Sequence, residues 1–86
     1  MTTVDSKKSK DYNYVKDVKK ELSQNYLGKQ NVNYVGIEHA DLYGGKEKEL
    51  CIILGFTSRP PSNFPVSDVY KGIRIVKQDI SGTKPY

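Results

Sequence analysis

Residues 50–54 read Leu-Cys-Ile-Ile-Leu, five consecutive apolar side chains in a chain whose mean hydropathy is only −0.67. The segment 50–57 has the composition of a β-strand, along which successive side chains point to opposite faces. Leu50, Ile52, Leu54 and Phe56 then line one face, with Cys51 and Ile53 on the other. Both faces are apolar near the middle, so this strand belongs inside a sheet and is covered on two sides.

What covers it is written upstream. Val15, Val18, Leu22 and Tyr26 recur at spacings of three, four and four, which puts them on one stripe of a 3.6-residue helix. Lys16, Asp17, Lys19, Lys20 and Gln24 take the opposite side. Asp11 or Ser9 can cap the start by accepting backbone N–H bonds. Gly28 can take the left-handed conformation just past the end, with Lys29 beside the negative pole of the helix dipole.

Residues 31–39 form a second strand candidate, rich in β-branched and aromatic side chains. Val35, Ile37 and His39 share one face, and Tyr34, Gly36 and Glu38 the other. Gly36 in its interior marks a bulge or a close approach by a backbone or a ring. Tyr43-Gly44-Gly45-Lys46 has the composition of a hairpin turn. Three prolines between residues 59 and 65 rule out regular structure there. Residues 66–70 suit a single helical turn, and the last strand starts after Gly72 and runs from Ile73 to Lys77 or Ile80.

The reading is therefore an α+β domain, one N-terminal amphipathic helix packed on a small, mostly antiparallel three-stranded sheet in the order α-β-β-β. Residues 1–10 are expected to be a flexible basic arm, 11–80 the domain and 81–86 a C-terminal tail. The first two strands pair antiparallel. The connection 58–72 is long enough for a crossover, which allows the last strand to run parallel to the middle one.

A chain of 86 residues buries roughly 60–65% of its unfolded surface, so each large apolar side chain counts. One cysteine, Cys51, excludes a disulfide framework and a Cys-rich zinc site, and points to a reducing, cytoplasmic setting. The first residues have no apolar core and do not read as a signal peptide, and no apolar run approaches the roughly 20 residues that span a bilayer. The net charge of +4 is unevenly placed. Residues 1–30 hold seven lysines against four acids, and residues 31–86 seven basic against six acidic side chains. The excess is a basic N-terminal region, able to attract phosphates or an acidic partner, or simply to keep the protein hydrated.

From Asn31 onward the order of motifs resembles a small αβ module that precedes trypsin-like peptidase domains in some bacterial proteins. The pieces are Asn31-Val32, Val35-Gly36-Ile37, Gly44-Gly45-Lys46, residues 50–54, Pro65 and Tyr70-Lys71-Gly72-Ile73, spread over about 50 residues after an amphipathic helix. The resemblance implies an accessory module and no proteolysis, since no peptidase domain lies within these residues.

Catalytic templates fail by inventory. Both Ser-His-Asp and Cys-His sites need His39, the single histidine, as base, and it sits near a strand end where a surface role is the ordinary one. Cys51 in an apolar strand is an inert thiol. Glu38 and His39 are adjacent and point to opposite faces, so with Asp41 they make a poor metal site. Glu47 and Glu49 alternate with Lys46 and Lys48 as a solvated hairpin does. Gly44-Gly45-Lys46 lacks the outer glycine and the Ser/Thr of a phosphate loop. No enzyme activity, metal or cofactor is expected.

Binding is what remains. Seven tyrosines with no tryptophan suit an interface, or the rim of a small core. The first expectation is a protein-binding module (an inhibitor, adaptor or accessory domain) contacting its partner through Arg59, Phe64, Tyr70 and Tyr43, with an exposed sheet edge as a further contact surface. Phe64 could equally point inward from a strap over the sheet. An alternative is nucleic-acid binding through Lys7, Lys8, Lys10, Lys16, Lys19 and Lys20, with tyrosines stacking on bases. A further one is a small-ligand sensor. Exposed sheet edges also permit a homodimer, and no membrane partner is expected.

Overall fold

The computed structural model describes residues 3–80, so the expected tail 81–86 lies outside the described residues. The chain forms helix α1 (Ser6–Ser9), helix α2 (Tyr12–Tyr26), strand β1 (Val32–His39), a 3-10 turn (Ala40–Tyr43), and strands β2 (Leu50–Phe56), β3 (Val69–Tyr70) and β4 (Ile73–Asp79).

Helix α2 forms as its pattern requires. Asp11 is the N-cap and accepts the Tyr14 amide at 3.2 Å, and Val15, Val18 and Leu22 are buried. Beyond Tyr26, Gly28 has φ +81, and its amide bonds to the Val32 carbonyl at 2.8 Å, which turns the chain directly into β1. Ahead of α2, residues 6–9 are helical instead of irregular. Asp5 caps this turn by accepting the Lys7 and Lys8 amides, and the Ser9 hydroxyl, fully buried, donates to the Asp5 carbonyl at 2.8 Å. The N-terminal segment is also tied to the far end of the chain by the Asp5 amide, which bonds to the Gly72 carbonyl at 2.8 Å.

The sheet has four strands in the order β1-β2-β4-β3, and is mixed. β1 pairs antiparallel with β2, β2 parallel with β4, and β3 antiparallel with β4. This corrects the expected three-stranded, mostly antiparallel sheet. Residues 69–70, expected to be helical, pair with β4 because Lys71 (φ 53) and Gly72 (φ 83) both adopt the left-handed conformation. Two such residues build the mirror-image turn that joins tightly paired strands. The crossover from β2 to β4 is the parallel arrangement that the long 58–72 connection allows.

β2 is central, with apolar side chains on both faces as its sequence demands. Ile52, Leu54 and Phe56 join Val15, Val18, Leu22, Val35, Ile73 and Ile75 in the main core beneath α2. Cys51 and Ile53 face the other way, under Ala40, Tyr43 and Val76. The break in regular β1 pairing lies between Val32 and Tyr34, which returns Val32 to the main core. Gly36 marks a close approach instead: a Cβ there would land on the Tyr34 ring.

Candidate functional site

The proline-rich strap places Phe64 inside the domain. Only 7% exposed, its ring meets Tyr26 and Phe56 at centroid distances of 5.1 Å each, with the Lys77 ammonium 5.8 Å from its centre. Phe64 is a core residue, not an exposed anchor, because the strap crosses the same face of the sheet as α2. Tyr70 is half-buried against that core and donates its hydroxyl to the Glu21 carboxylate. Tyr43 packs on the smaller cluster with Cys51 and Ile53. Arg59 alone of the four expected contact residues is exposed, so the structure does not gather them into one surface.

The lysines divide between two elements. Lys7 and Lys8 belong to α1 and Lys10 is its C-cap, while Lys8 lies 5.4 Å from the centre of the Tyr14 ring. Lys16, Lys19 and Lys20 share a shallow hollow on the outer side of α2 with Asn13, Asp17 and Ser23. Asp17 sits among them and offsets part of their charge.

Chemistry-bearing groups are scattered. Among the described residues, no group of three or more His, Cys, Asp and Glu side chains stands together to hold a metal ion. Burial pushes the Cys51 thiol up to about 11, with the Glu38 carboxylate adding to the rise, so it is protonated and unreactive near neutral pH. Among the described residues, no helix is long and apolar enough to cross a membrane.

The sequence allows an exposed sheet edge as a contact without saying which strand forms it; the strand order makes it the outer edge of β1. It is eight residues long, and among the described residues no strand pairs with its outer side. Its segment, Val-Asn-Tyr-Val-Gly-Ile-Glu-His, contains neither lysine nor proline, the residues that usually guard such an edge. Three exposed large side chains lie on or near β1: Tyr34 within it (47% exposed), and Tyr12 (57%) and Leu42 (67%) by its C-terminal end. Tyr12 shares a hollow with Ile37, Glu38, His39 and Leu50, and Leu42 shares one with His39, Asp41, Glu47 and Lys48. The sequence signal was present but indirect. Tyr12 lies one helical step before Val15, and Leu42 is an apolar residue in an otherwise polar connection. Which strand forms the edge depends on strand order, and that is a tertiary property.

Set against protein-family models, characterised proteins and solved structures, the chain matches none.

Proposed function

We propose that this protein is a small non-catalytic protein-binding module that takes its partner as an added strand on the outer edge of β1. The observation that carries the reading is the conjunction of a long outer edge free of lysine and proline with Tyr12, Tyr34 and Leu42 exposed on or near the same strand. In strand addition, backbone hydrogen bonds supply affinity and side chains on alternate positions supply selectivity. The exposed tyrosines and leucine near the strand are apolar groups that a partner would cover.

The test is site-specific photo-crosslinking in lysate of the native source, with a benzophenone side chain placed in turn at positions 34, 59 and 16. The edge reading expects a protein adduct from position 34 and none of comparable yield from the other two. Adducts confined to position 59 would return the site to the strap.

A second reading, nucleic-acid binding, draws support from the convergence of Lys16, Lys19 and Lys20 in one hollow. Adducts from position 16 that vanish on nuclease treatment would favour it. Binding of this kind weakens steeply with salt.

A further inference from the structure

Resting on the reading of the β1 edge as a binding surface, we propose that the strand it accepts is β1 of a second copy of this chain, paired antiparallel about a two-fold axis at Gly36.

The backbone polarity of β1 is fixed by hydrogen bonds at its ends. The Ala40 amide bonds to the Glu49 carbonyl and the Thr57 amide to the Asn31 carbonyl, both at 2.8 Å, while the Ile80 amide takes the Phe56 carbonyl. Odd-numbered residues of β2 therefore face β1, and their partners in register are Tyr34, Gly36 and Glu38. Antiparallel alternation turns the N–H and C=O groups of Val35, Ile37 and His39 outwards, towards the open edge.

Two such edges match when Gly36 lies opposite Gly36. Val35 of each copy then faces Ile37 of the other, with their outward backbone groups in hydrogen-bonding register. Tyr34 faces Glu38, so the two Glu38 carboxylates are never opposed. Gly36 falls at a pair without hydrogen bonds, where the backbones approach to about 4.5 Å and a side chain would crowd the axis. The Tyr34 ring already lies over its own Gly36. β3, the other edge, has only two residues and offers no equivalent ladder.

Charge favours the same arrangement. Lys29 stands just before β1 and Asp41 just after it, both exposed. Antiparallel pairing brings Lys29 of each copy to the end of the strand where Asp41 of the other lies. The ion pairs Glu21–Lys71 and Asp68–Lys77 involve neither residue.

The experiment is sedimentation equilibrium of the full chain across the micromolar to millimolar range, with His39→Pro, Lys29→Glu, Asp41→Lys and the double charge swap. His39 is exposed, has φ −75 and directs its N–H away from β2, so proline fits there without removing a β1–β2 bond. The wild type is expected to dimerise. His39→Pro should weaken the dimer roughly tenfold, since each copy loses a ladder donor. Either single charge reversal should weaken it roughly three- to tenfold, and the double swap should restore it. A wild type that stays monomeric throughout overturns the proposal, as does a dimer indifferent to all four variants. A synthetic peptide of residues 31–40 separates the two levels. If the chain is monomeric but the peptide shifts the Val35 and Ile37 amide resonances, the self-pairing falls while the edge reading stands. If the peptide leaves them unmoved as well, the self-pairing falls, and the edge reading falls too only if position 34 gives no protein adduct.

Discussion

Glu21 and Lys71, fifty residues apart in sequence, meet at 2.5 Å, carboxylate to ammonium, where α2 passes the turn between β3 and β4. The other carboxylate oxygen accepts the Tyr70 hydroxyl, and the Tyr14 hydroxyl donates to the Lys71 carbonyl at 2.6 Å. One helix thus holds Tyr70 and Lys71 of a hairpin whose turn, Lys71-Gly72, is left-handed at both residues. The turn's neighbour, Asp5, fastens the N-terminal segment to the same place.

This clamp sets a pH signature. The hydrogen bond from Lys71, followed by that from Tyr70, holds the Glu21 carboxyl below the usual carboxylate range. A carboxylate with a depressed folded-state value contributes stability that is complete above about pH 4–5 and lost as pH falls through the lower folded value. Lys71 and Tyr70 are raised, in each case chiefly by the bond to Glu21, so their contribution is present below their ordinary values and lost as pH rises through the raised ones. Thermal unfolding of Glu21→Gln should therefore show a shallower acid limb than wild type, with a smaller dependence on salt because the pair is solvent-exposed. Identical acid limbs would remove the clamp from the account.

Phe64→Ala should behave as a core deletion. Removing a ring packed between Tyr26 and Phe56 leaves a cavity and costs about 3–5 kcal/mol, a large share of a small domain's stability. Urea denaturation reads it directly. A change below about 1 kcal/mol would mean that the ring is dispensable to the fold, as an exposed anchor would be.

Two glycine replacements should differ for a geometric reason. At Gly72 the backbone is left-handed, and a Cβ would sit 2.8 Å from the Cβ of Asp5, so Gly72→Ala is strained and also presses the N-terminal segment away. A loss of about 1–2 kcal/mol is expected from the conformation alone. Gly36→Ala meets only the end of the half-exposed Tyr34 side chain, which can swing aside, and should cost less. Equal losses in denaturant titrations would contradict this ordering.

Cys51 should be silent to thiol reagents. Its side chain is fully buried and its thiol is pushed up to about 11, so the reactive thiolate is scarce at neutral pH and inaccessible. Labelling is expected only through unfolding, at a rate that follows denaturant concentration. Fast stoichiometric labelling of the native protein would contradict it.

Much of this domain was legible from local pattern. The α2 stripe from Val15 to Leu22, the two-faced β2 and the boundaries of β1 and β4 follow from periodicity and composition, because each element's burial is encoded in its own residues. The fourth strand was not, because two residues carry no period. β3 exists only through the left-handed Lys71-Gly72 turn and the β4 backbone beside it. Phe64 was undecided for a related reason: a proline-rich strap fixes where the chain cannot be regular, but not which side of the sheet it crosses. The binding edge was hidden in the same way. Val32–His39 reads as a strand whether central or outermost, and only the order β1-β2-β4-β3 exposes its outer side.

The central claim, that partners add to β1 as a strand, is tested most directly by amide hydrogen exchange measured residue by residue, in the protein diluted to a monomer and with its bound partner strand. Protection should rise at Val35, Ile37 and His39, whose N–H groups face outwards, and stay unchanged at Tyr34, Gly36 and Glu38, which already bond to β2. New protection confined to the outer side of α2 or to the strap, with the odd-numbered β1 amides still exchanging freely, would contradict the account.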